Sequence, residues 1–68
     1  MQKKQVKILG YQSNRCKLKL FYETDGENSR YIVEKNRKYQ IITENYELAK
    51  KRMQSLIYLD INQLTLNI

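Results

Sequence analysis

Between Arg15 and Glu23 the chain alternates strictly: Arg15, Lys17, Lys19, Phe21 and Glu23 hold the odd positions, and Cys16, Leu18, Leu20 and Tyr22 the even ones. A period of two puts these sets on opposite faces of a half-buried strand. The odd set is a row of cationic side chains around one aromatic ring. Cations in such a row neutralise phosphates, while the ring stacks on a base or wedges into a groove. Arg30 and Lys38, on strands expected alongside, extend the row, and Lys3, Lys4 and Lys7 form a basic arm able to clamp a nucleic-acid backbone. The candidate nucleic-acid-binding set is therefore Lys3, Lys4, Lys7, Arg15, Lys17, Lys19, Phe21, Arg30 and Lys38. The competing description is a solvated charge ladder, Lys17–Glu34–Lys38, with Phe21 shielded by Arg30.

Bulk charge agrees with the first description. Lysine and arginine total 13 against seven acids, a net charge of +6 and a pI of about 9.6. Residues 1–20 contain six cations and no acid, whereas Glu23, Asp25, Glu27 and Glu34 gather in the next segment. Lys50, Lys51 and Arg52 are consecutive, so on a helix they point in different directions and form no single stripe. Glu47 is spaced to pair with Lys50 or Lys51.

Other chemistries find little support. There is no histidine, and the carboxylates cluster where a hairpin tip and a helix start are expected, so an enzyme is not expected. A single cysteine forms no internal disulfide, and Cys16 falls on the apolar face as a small hydrophobe. Asp25-Gly26-Glu27 is far short of a calcium loop. Neither a metal nor a cofactor is expected.

The elements that must position the basic row follow from the same patterning. Gln5 to Tyr11 is the first strand, with Val6 and Ile8 inward and Lys7 and Leu9 outward; Gly10 marks a bulge or the strand's end. Asp25-Gly26 is a tight-turn dipeptide. As a two-residue turn it sets Leu20 against Tyr31, Leu18 against Val33, Lys17 against Glu34 and Phe21 against Arg30. For the next hairpin, a three-residue loop of Lys35, Asn36 and Arg37 sends Tyr39 and Ile41 inward. A two-residue loop at Asn36-Arg37 sends Tyr39 outward; the first agrees better with the preceding hairpin. Tyr22, Tyr31 and Tyr39 then fill the core, and Tyr11 and Tyr58 are the exposed tyrosines.

A helix is expected from Thr43 or Glu44, with Glu44 and Glu47 in its first turn. Its apolar face comprises Tyr46, Ala49, Met53, Leu56 and Ile57. Asp60 would fall in the middle of that face, so the helix is expected to stop at Tyr58 or Leu59. Leu64, Leu66 and Ile68 alternate with polar residues as a fifth strand or an extended tail. The fold class is α+β: one small domain over residues 1–68, a meander of about four antiparallel strands packed by one carboxy-terminal helix.

So small a domain has a thin core. A partner is one route to further stability, and outward Leu9, Phe21 and Ile32 would suit it. The expected partner is nucleic acid or a nucleoprotein assembly. The alternative is a protein-interaction module, either an accessory subunit of a larger complex or a phage or mobile-element modulator of a host machine. A composition rich in Lys, Asn, Gln, Ile and Tyr and free of Pro and Trp suggests an A/T-rich genome, and a phage, another mobile element, an organelle or a low-G+C bacterium would all fit it. No apolar run is long enough for a membrane span, and the cytoplasm is the expected location.

Overall fold

A computed structural model describes residues 3–66. Four strands form one antiparallel sheet in the order β1-β2-β3-β4: β1 (Lys4–Gln12), β2 (Lys17–Thr24), β3 (Ser29–Lys35) and β4 (Lys38–Thr43). One helix, α1 (Tyr46–Leu66), follows and packs across β2, β3 and β4. The expected α+β meander with a single carboxy-terminal helix is the observed architecture. No helix among the described residues is long and apolar enough to cross a membrane.

The core lies between the even face of β2 and the apolar face of α1. Leu18, Leu20, Val33, Ala49 and Met53 are fully buried there with Cys16, and Tyr11, Tyr31, Ile41, Tyr46, Leu56 and Ile57 pack around them. Burying a side chain of this size contributes about 1.5–3 kcal/mol. At one end Tyr31 lies between two further rings, 5.4 Å from Tyr22 and 5.2 Å from Tyr46.

The helix begins later and ends later than its sequence suggests. Asn45 caps it: its Oδ1 accepts the amides of Glu47 at 2.9 Å and Leu48 at 3.2 Å. Glu44 therefore precedes the helix, and Glu47 alone is the acid of the first turn. At the far end α1 runs past Leu59 to Leu66, so residues 63–66 are helical and not a strand; positions 67 and 68 lie outside the described residues. Asp60 does not stop the helix because it has partners. It is 5% exposed, accepts the Tyr11 hydroxyl at 2.7 Å on Oδ2 and Arg15 Nε at 3.3 Å on Oδ1, and its backbone oxygen accepts Arg15 Nη2 at 2.8 Å. An acid on an apolar face is tolerated when its lone pairs are filled.

Both hairpin registers also differ. The first loop is Asp25–Asn28, and the ladder closes at Thr24 opposite Ser29. Asp25 lies outside the ladder because its Oδ1 accepts the amides of Glu27 at 3.0 Å and Asn28 at 2.8 Å. Leu20 consequently faces Val33, Tyr22 faces Tyr31, Phe21 faces Ile32 and Glu23 faces Arg30. The slip is two residues, so every side chain keeps its expected face. In the second hairpin the loop is the two-residue Asn36-Arg37, both with positive φ (51° and 70°), and Lys35 pairs with Lys38. An irregularity at Gln40 then restores Ile41 to the core opposite Val33. Tyr39 points outward opposite Glu34, and Tyr11, expected to be exposed, is half-buried.

In β1 the irregularity falls at Ile8, not at Gly10. It carries Leu9 to the helix side opposite Leu20, while Lys7 stays on the outer side opposite Phe21. The helix does not cover this edge, and Val6 and Leu9 remain 57% and 43% exposed.

Candidate nucleic-acid interface

The face of the sheet turned away from α1 is ordered in rows across the strands. Nearest the open end of the β3–β4 turn stand Gln12 and Lys17, then Gly10, Lys19, Glu34 and Tyr39, then Lys7, Phe21, Ile32 and Ile42, then Gln5, Glu23 and Arg30. Strand pairing alone brings Lys7, Lys17, Lys19 and Phe21 together, as their spacing predicts.

The β3–β4 turn completes the basic end. Asn36 Oδ1 accepts the Lys17 amide at 2.9 Å, and the Asn36 amide donates to the Lys17 carbonyl at 2.9 Å. These bonds hold the turn against the start of β2, and Lys17, Lys19, Glu34, Asn36 and Arg37 line one shallow depression. A second depression adjoins it, lined in part by Lys7, Gly10, Gln12, Lys17 and Lys19. Gly10 leaves the room for it: a Cβ there would lie 3.7 Å from Lys7 Nζ, so the Lys7 chain lies over the glycine.

The ion pairs of the described residues are Arg15–Asp60 and Arg30–Glu23. Lys7, Lys17, Lys19 and Arg37 thus have no carboxylate within 4.0 Å among the described residues, although Glu34 stands in their midst. The ladder Lys17–Glu34–Lys38 does not form, because Glu34 pairs with Lys19 and Tyr39 in the sheet and Lys38 faces Lys35 on the helix side.

Several expected members stand elsewhere. Arg15 is in the β1–β2 loop, engaged with Asp60 as a tie between sheet and helix. Arg30 lies at the far end of the outer face, its Nε and Nη2 both 2.7 Å from Glu23 Oε1. Lys4 is opposite Thr24, a position on the helix side, and begins a strand rather than an arm. Lys3 lines a third depression at the opposite end of the sheet with Glu23, Asp25, Arg30 and Glu44. Phe21 is half-buried, and its ring is approached by Lys19 Nζ at 6.0 Å from the centroid instead of by Arg30. Ile32, expected outward and free, is fully buried on the outer face, between Phe21 and Ile42 in its row.

Two positions were missed by sequence reasoning: Arg37 and Tyr39. Both follow from the two-residue turn. Asn36 was the available signal, since asparagine tolerates the left-handed backbone that both positions of such a turn require.

The electrostatics divide the face lengthwise. Hydrogen bonds from the Asn28 and Glu27 amides hold the Asp25 carboxyl below its ordinary range, keeping the first hairpin's tip anionic. The Tyr11 hydroxyl, followed by Ser13, lowers the Asp60 carboxyl, with Arg15 assisting and burial opposing; the same bond to Asp60 raises the Tyr11 phenol. That cluster fastens α1 and is turned away from the basic rows. No family model, curated protein or solved structure matches the chain.

Proposed function

We propose that the protein binds nucleic acid, free or within a nucleoprotein assembly, through the basic end of its outer sheet face. The observation that carries this is the convergence of Lys7, Lys17, Lys19 and Arg37 with no carboxylate partner among the described residues. Ammonium and guanidinium groups left in this way are hydrated and available, and phosphates that replace their water release condensed counterions. The shallow, open relief of the face suits a polymer that lies across it better than a small ligand that must be enclosed.

The test is charge reversal. The double variant Lys17→Glu, Lys19→Glu should lose binding to nucleic acid, measured by fluorescence anisotropy with a labelled oligonucleotide, while its circular dichroism stays that of the parent. Undiminished binding by the folded double variant would remove this face from consideration.

A second reading, protein interaction, has its own observation: Val6 and Leu9 lie exposed on the helix side of β1, an edge strand. Edge backbone groups beside apolar side chains accept an added strand. The irregularity at Ile8 and the lysines at 4 and 7 are features that blunt such an edge, which ranks this reading second.

A further inference from the structure

We infer that the basic end of the outer face takes a single strand laid across the sheet, with one base stacked on Tyr39. This rests on the nucleic-acid reading and adds the class of ligand to it.

Tyr39 is 58% exposed and stands in the same row as Lys19 and Glu34. It lies on β4 at the sheet's edge, two residues after Arg37 of the turn, so the chain itself keeps a cation and an exposed ring at the same end of the sheet. The other aromatic of this face, Phe21, is half-buried with Lys19 over it. Tyr39 is therefore the ring with a face to offer.

The order of groups along the row sets the direction of the ligand. Lys19 on β2 and Tyr39 on β4 are two strand spacings apart, about 10 Å. Glu34 stands between them and repels phosphate, so the phosphates follow Lys7, Lys19, Lys17 and Arg37 across the basic end of the sheet, and a base covers the row of Glu34 and Tyr39. A carboxylate beside the edge of a base is acceptable, because it can accept an N–H from that edge. At the opposite end Glu23, Asp25 and Glu44 discourage a backbone running lengthwise along the strands. A duplex keeps its base faces stacked inside and has none to give Tyr39 without unpairing. A single strand does.

The experiment compares three probes at one low salt concentration by fluorescence anisotropy: a thymidine oligonucleotide of about twelve residues, an abasic strand with the same phosphates, and a duplex of the same length. The thymidine strand should bind roughly tenfold tighter than the abasic one, the usual worth of one stacked base. Tyr39→Ala should erase that difference, and Tyr39→Phe should keep it. Equal affinity for thymidine and abasic strands, unchanged by Tyr39→Ala, would overturn the stacking inference while leaving charge-based binding intact. A duplex bound more tightly than the thymidine strand would overturn the single-strand assignment. No binding of any probe would overturn the proposed function as well.

Discussion

Replacing Asp60 by alanine separates two accounts of the helix end. Intrinsic propensity favours the substitution, since alanine is the better helix former and an acid late in a helix opposes the dipole. It also restores an apolar residue to the apolar face. On those grounds alone, helicity should rise. The geometry predicts the reverse, because Asp60 joins α1 to Tyr11 and Arg15, and the last core-packing side chain before it is Ile57. Without that tie, residues 58–66 have no described anchor, and they make up nine of the 21 residues of α1. With propagation close to neutral, a nine-residue extension of a packed helix frays when nothing else holds it. Asp60→Ala should therefore remove up to about two-fifths of the helical ellipticity, with the sheet retained. Acid should act similarly on the parent protein. The folded-state carboxyl lies below its ordinary value of 3.8, so its contribution is fully present above that value and is lost as the pH falls through the lowered one. Undiminished or increased ellipticity in Asp60→Ala would refute the role given to this residue.

Three further outcomes are expected. Met53→Ala empties the middle of the apolar contact between helix and sheet and should cost about 2–5 kcal/mol, measured by urea denaturation, enough to unfold much of so small a domain. Arg37→Gly relieves a left-handed backbone and should raise stability by about 0.5–1 kcal/mol while weakening nucleic-acid binding, so that melting and binding move in opposite directions. Four cations engaged by a single strand give a slope of about −3 for the logarithm of affinity against the logarithm of salt; raising salt fourfold should then cost roughly 50-fold in affinity, and Lys17→Gln with Lys19→Gln should halve the slope.

The faces of this fold were legible in its sequence, and the offsets were not. Alternation from Arg15 to Glu23 reports parity, so Lys17, Lys19 and Phe21 stand on the side away from α1 as expected. Parity cannot distinguish Leu20 opposite Tyr31 from Leu20 opposite Val33, since a slip of two preserves it. What decided the offset was the Asp25 carboxylate binding two backbone amides, a local hydrogen-bond preference that hydropathy does not record. The irregularities at Ile8 and Gln40 each change parity midway along a strand, which misplaced Leu9 and Tyr39. Asp60 misled for a different reason: its partners, Tyr11 and Arg15, are 49 and 45 positions away in the chain.

In β3, Ile32 and Val33 are neighbours in sequence, point to opposite sides of the sheet, and are both fully buried. Each side of the middle of that strand is thus sealed from solvent, one by α1 and the other by the sheet's own side chains. Backbone amide protons there can meet deuterium only when the whole domain opens. They should exchange last of all, at the rate of global unfolding, while those of β1 and the end of α1 exchange through smaller local openings.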